Sequence, residues 1–145
     1  KAIRRQRQMC IRDRCVDMKQ IVLIIGGIYG MLSIILGAFG AHAFKNLLTP
    51  DKLDSFEVGV RYQMYHAIVL LIIGLFLNLE TSIEKWTAWS IIIGTFLFSV
   101  SIYLLAFAEY WKINLKFLGP VTPLGGLFMI AGWALLIISF VKTRI

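Results

Sequence analysis

Residues 86–108 read WTAWSIIIGTFLFSVSIYLLAFA, 23 positions without a single Asp, Glu, Lys or Arg. As a helix rising 1.5 Å per residue this stretch is roughly 34 Å long, enough to cross about 30 Å of hydrocarbon. Its ends are marked by aromatic residues, Trp86 and Trp89 at one and Tyr110 and Trp111 past the other. The roughly 37 Å of helix from Trp86 to Trp111 matches the separation of the two aromatic belts that flank a bilayer.

Three more charge-free runs cover 20–44, 62–79 and 117–141, and over the 145 residues 59% are hydrophobic, 16% charged, with mean hydropathy +0.78. Such a chain is not built for bulk water. A disordered chain, a nucleic-acid module and a disulfide-stapled secreted domain are excluded, and a soluble enzyme nearly so. The expected fold is all-α, an integral membrane four-helix bundle over residues 18–145, with spans at about 20–44, 62–79, 86–108 and 121–141.

Residues 1–17 differ in kind. They hold six of the fifteen basic residues, two of the eight acids and both cysteines, Cys10 and Cys15, with no apolar period of strand or helix. They read as a non-native or disordered basic extension, set apart from fold reasoning. The alternative is a basic arm on anionic headgroups. Without it the chain carries net charge +3 and no cysteine. The Cys10 and Cys15 spacing is not CxxC and indicates neither a redox nor a metal site.

The span ends carry local signals. The first span has Ala41-His42-Ala43, a small-x-small pattern, but about 20 apolar residues before it exceed the h-region of a signal peptide. Gly26, Gly30, Ser33, Gly37 and Ala41 recur at helical spacing and form a stripe along which another helix can approach closely. Thr49-Pro50, followed by Asp51 and Asp54, opens a helix whose Leu53, Phe56 and Val60 share one face. A short interfacial helix is therefore expected between spans one and two, with Gly59 as the bend before the chain turns inward. Thr81-Ser82-Ile83-Glu84 fits a capping box, so spans two and three are antiparallel neighbours. Thr122-Pro123 opens the fourth span, where Gly125, Gly126 and Gly132 offer further contact points. No internal repeat supports an inverted-repeat transporter.

Four alternating spans put His42, Tyr62, Gln63, His66, Glu109 and Thr122 on one side of the membrane. Polar groups in hydrocarbon are costly and need a reason. A structural reason is a polar cluster of His42, Tyr62, Gln63, His66 and Thr122, in which Tyr62 or Gln63 bonds to His66 and fixes helix register. A functional one is a proton or small-solute pathway lined by His42, Gln63 and His66. Two histidines without a carboxylate or cysteine make an incomplete zinc site, and two isolated ones are weak grounds for haem, so no metal and no cofactor is expected. Glu109, followed by Tyr110-Trp111-Lys112, belongs to the interface.

Four blocks carry a family resemblance: Gly37-Ala38-Phe39-Gly40-Ala41-His42, Val60-Arg61-Tyr62-Gln63-Met64-Tyr65-His66, Phe98-Ser99-Val100-Ser101-Ile102-Tyr103, and Leu118-Gly119-Pro120-Val121-Thr122-Pro123-Leu124-Gly125-Gly126, with Gly132-Trp133 following. In order and spacing they resemble the YgdD-like small inner-membrane proteins, grouped as domain of unknown function 423, from about Met18 to the C-terminus. The departure is Val100, where the family has a glycine between the serines, so close approach of a helix is not expected there. The resemblance implies a multi-pass protein of the bacterial cytoplasmic membrane, without an established activity and without catalytic residues to carry over.

The expected function is accordingly that of a non-enzymatic membrane protein, packing through small-residue faces against a second copy or another membrane protein, with the lipid bilayer as its constant partner and no nucleic acid. The competing expectation is the proton or solute pathway. Lys19, Lys85, Lys142 and Arg144 on one side against Lys45, Lys52, Arg61, Lys112 and Lys116 on the other leave orientation open.

Overall fold

The computed structural model describes residues 17–143 and contains four long helices: α1 Met18–His42, α2 Pro50–Phe76, α3 Ser82–Phe107 and α4 Val121–Thr143. Single 3₁₀ turns, Phe44–Asn46 and Lys116–Leu118, lie in the two loops on one side. All four helical segments are long and apolar enough to cross a membrane. The extension read at residues 1–17 lies outside the described residues except for Asp17, which stands at the N-cap of α1 and accepts from the Lys19 N–H at 3.5 Å.

Each boundary has a local cause. At α3, Thr81 accepts from the Glu84 N–H at 3.3 Å while the Glu84 carboxylate accepts from the Thr81 N–H at 3.2 Å, the reciprocal capping box expected of that sequence. The connection before it is tight enough that Leu79 adopts a left-handed backbone, φ 56°, with its side chain buried in the core. Burial of that side chain in an apolar cluster offsets the steric cost of the conformation.

Two expectations at helix starts are corrected. The amphipathic segment before span two is not a separate interfacial helix: α2 runs unbroken from Pro50, through Gly59, to Phe76. A lone glycine removes no backbone hydrogen bond, so it bends nothing unless something pulls the chain apart there. Gly59 serves contact instead, since a Cβ on it would lie 2.8 Å from the Tyr103 ring of α3. At α4, the helix already begins at Val121, so Thr122 lies inside the first turn instead of capping it. Thr49 does hold the N-cap position of α2, but its hydroxyl makes no capping bond.

The helices alternate up and down, with α2 and α3 central. α1 packs along α2 and meets α3 only briefly, α4 packs along α3, and the backbones of α4 and α2, like those of α4 and α1, stay apart. Lipid gives helices no hydrophobic reason to associate, so these contacts rest on close packing of small residues. The stripe on α1 is used within the chain: Gly26 lies against the Ala67 carbonyl and Leu70, Gly30 against Ala67, Gly37 against Val60. On the α3–α4 side a Cβ at Gly125 would lie 2.5 Å from the Phe98 nitrogen, one at Gly94 2.7 Å from the Met129 nitrogen, and one at Gly132 2.6 Å from Ile91. Gly126 alone of the singled-out glycines faces open space.

Two apolar clusters fill the ends. Near the α2–α3 loop, Val22, Leu70, Ile73, Leu79, Ala88, Ile91, Ile92 and Leu136 join all four helices. Toward the other face Leu48, Phe56 and Ala106 are buried together. Between the clusters lies a belt of buried polar residues that includes Ser33, Gln63, His66, Thr95 and Ser99. Outward, residues such as Ile34, Phe76, Leu127 and Ile137 are exposed, as suits a surface whose solvent is lipid.

Candidate functional site

The polar belt is the candidate site, and it is built from side chains that cross between helices. Gln63 of α2 is 5% exposed. Its Nε2 donates to the Tyr29 carbonyl of α1 at 3.1 Å, and its Oε1 accepts from the Tyr103 hydroxyl of α3 at 2.8 Å. A carbonyl cannot donate and the phenol must, so the amide orientation follows from its partners. Tyr29 returns the link, its hydroxyl donating to the Ile92 carbonyl of α3 at 3.0 Å, while Ser33 donates to the Tyr29 carbonyl at 2.8 Å. Ser99 donates to the Gly59 carbonyl at 3.1 Å, the bond that the missing side chain at Gly59 leaves room for.

His66 faces the other way. Three residues after Gln63 it is displaced by about 60° around α2, which turns it from α1 and α3 toward α4. Its Nδ1 lies 2.8 Å from the Tyr62 carbonyl, and its Nε2 accepts from the indole N–H of Trp133 on α4 at 3.3 Å. Those partners specify the neutral tautomer with the proton on Nδ1, because only a protonated Nδ1 can donate to a carbonyl and only a bare Nε2 can accept from an indole. The Tyr62 ring stacks on His66 and also touches Phe98 of α3, with centroids 5.1 Å apart. Ser101 and Thr122 join α3 to α4 through their hydroxyls at 2.7 Å. Among the described residues, five of the six helix pairs are therefore seen to be tied by at least one side-chain hydrogen bond.

Of the expected cluster, then, Tyr62 and His66 meet, Gln63 sits on a separate branch with Tyr29 and Tyr103, and Thr122 pairs with Ser101. His42 is not brought to them: it is exposed at the end of α1. The pairing of Gly37 with Val60 and Gly30 with Ala67 sets α1 antiparallel to α2, so His42 lies level with residues near 55, about 16 Å along the helix axis from His66. His66 itself is about 15 Å from the end of α2 at Phe76, near the middle of that helix.

Sequence reading missed Tyr29, Ser33, Thr95, Ser99, Tyr103 and Trp133 as parts of the site. The available signal was their presence as hydroxyl, phenol and indole groups inside charge-free runs, where each needs a partner. One of them lacks it: Thr95 is fully buried and its Oγ1 has no hydrogen-bond partner among the described residues.

Because the backbones of α2 and α4 stay apart, a groove runs between them with α3 as its floor. Tyr62, His66 and Trp133 cross it near mid-depth. Below them it is an apolar recess of about 230 Å³ between Ile72, Phe76, Leu136 and Phe140. Above them a cleft of about 430 Å³ is lined by Lys52, Ser55, Val58, Ile102, Leu105 and Thr122, among others.

Four apolar helices joined by buried polar contacts define a multi-pass integral membrane protein. The comparisons give the family: residues 36–126 match the model for a protein of unknown function, DUF423. A UPF0382 membrane protein of Staphylococcus haemolyticus is 38% identical over 123 residues, covering 85% of this chain and 97% of that protein. The UPF0382 membrane protein YwdK of Bacillus subtilis is 33% identical over 125 residues, 85% and 98% of the two chains. The UPF0382 inner membrane protein YgdD of Escherichia coli K12 is 34% identical over 128 residues, 86% and 92%. No solved structure matches. The chain belongs to the DUF423 family, as its four sequence blocks indicated, and it is a multi-pass protein of the bacterial cytoplasmic membrane.

Proposed function

We propose that this is a non-enzymatic membrane protein that acts through contacts made in the bilayer, and that its polar belt is a register lock rather than a reaction centre. The observation that carries this reading is that Oε1 and Nε2 of Gln63 and both ring nitrogens of His66 are engaged by groups of the protein itself. Ser33, Ser99 and Ser101 are spent on carbonyls or on Thr122, none on a histidine, so none of these three hydroxyls is paired with a base that could activate it. In this reading the lock holds the four helices in one arrangement and leaves the groove between α2 and α4 open for lipid or for a helix of a second protein.

The second reading, passage of protons or a small polar solute, draws on Thr95, whose unsatisfied hydroxyl in the belt suits a water molecule. The two separate in liposomes. Under the register lock, proton flux with the reconstituted protein equals that of protein-free vesicles, and His66→Gln lowers the melting temperature in detergent. Flux above the protein-free level that falls in His66→Gln or Thr95→Val overturns the lock as the main role and favours the pathway.

A further inference from the structure

We propose that the upper half of the α2–α4 groove binds one anionic phospholipid, with its phosphate on Lys52, Lys112 and Lys116 and an acyl chain along Val58, Ile102 and Leu105. The cleft of about 430 Å³ has Lys52 and Ser55 at its mouth and Val58, Ile102, Leu105 and Ala106 beneath. A second cleft of about 540 Å³ shares Lys52 and Leu105 with it and adds Lys112 and Lys116. The shared residues place the two side by side, with cationic groups at one end and apolar ones at the other, which is the polarity profile of a lipid molecule.

The depth fits as well. Lys52 lines a small recess together with Glu109 and Tyr110, at the aromatic belt and hence at the headgroups. Val58, six residues further along α2, lies about 9 Å deeper along the helix axis.

Charge complementarity selects the occupant. Among the described residues the one ion pair is Arg61 with Glu57, so none of the three lysines is held in an ion pair. Glu109 is the single acid lining these clefts, which leaves them net positive. Lys112 adds an independent sign. It stands in the turn that follows α3 with a left-handed backbone, φ 54°, while Ile113 N–H bonds back to the Ala108 carbonyl at 3.0 Å. That position in a helix-ending turn suits glycine, which lacks the steric penalty of a lysine there. The strained residue is one that lines the second cleft. A zwitterionic lipid presents the same phosphate with an added cation that three lysines repel, so the site favours a net negative headgroup.

The proposal is independent of the register lock, because neither Lys52 nor Leu105 belongs to the polar belt. The test is native mass spectrometry of the full chain in detergent with phosphatidylglycerol or phosphatidylcholine. The parent is expected to retain phosphatidylglycerol roughly tenfold better, with roughly a fivefold loss for each of Lys52→Gln, Lys112→Gln and Lys116→Gln. Lys45→Gln, outside the cleft, keeps the parental preference. Val58→Trp, which fills the apolar part, lowers retention of both lipids. Single lysine variants are read if the triple variant loses its helical circular dichroism. An unchanged preference after removal of the lysines overturns the proposal. So does displacement of the lipid by millimolar inorganic phosphate, which would mark a free-phosphate site, or full retention in Val58→Trp.

Discussion

Thr95 is the residue at which the belt is least economical. A buried hydroxyl without a partner costs about 1–3 kcal/mol, and valine has nearly its shape without the hydroxyl. Thr95→Val is therefore expected to raise the melting temperature in detergent; an unchanged or lower value would show that Thr95 is bonded in solution, to water or otherwise. Gln63→Leu should do the reverse, because it removes the bonds from α2 to the Tyr103 hydroxyl and to the Tyr29 carbonyl, at a cost of about 1–2 kcal/mol read as a lower melting temperature. Gln63 and His66 were visible in the sequence because an amide and an imidazole in an apolar run always demand explanation. Thr95, Ser99 and Tyr103 were not. A Thr or Ser in a helix commonly bonds the carbonyl four residues back, as Thr87 does to Ile83 at 2.9 Å, so its presence says little until the neighbouring helix is placed.

At the level of single helices, charge-free runs made the four spans legible, and the Thr81–Glu84 box made the start of α3 legible. The start of α2 at Thr49-Pro50 was legible too, but its continuity through Gly59 into the span was not. Leu53, Phe56 and Val60 continue into Gln63, Ala67 and Leu70 with one helical period, and nothing in between breaks the backbone, so an amphipathic approach and a span fused into one helix. The glycines were legible as contact points but not as to their partner, which proved to be the chain itself for all but Gly126. That division is testable. Gly125→Ala pushes a Cβ into the backbone of α3 and should destabilise by about 1–3 kcal/mol, whereas Gly126→Ala has nothing within 4 Å and should be neutral in the same melting assay. Equal effects would mean that α4 does not lie on α3 through Gly125.

Over the whole molecule, the short connection between spans two and three made those two helices antiparallel neighbours, and that much could be read in advance. The groove could not, because no one-dimensional pattern tells whether α4 returns to α2 or stays on the far side of α3. The alternation of spans predicts that a cysteine at Asp54 and one at Glu80 lie on opposite faces. In a background with Cys10 and Cys15 replaced by serine, an impermeant thiol reagent should label one of them in intact cells and the other only after lysis. Equal labelling would break the four-span topology. The central claim, that the belt exists to hold helices in register, is tested most directly by a double-mutant cycle of Gln63→Leu and Tyr103→Phe, measured as unfolding in a lipid bilayer. The account predicts that each change destabilises and that the pair together costs clearly less than the sum, since both remove one shared bond between α2 and α3. Strict additivity, or two changes without effect on stability, would contradict it.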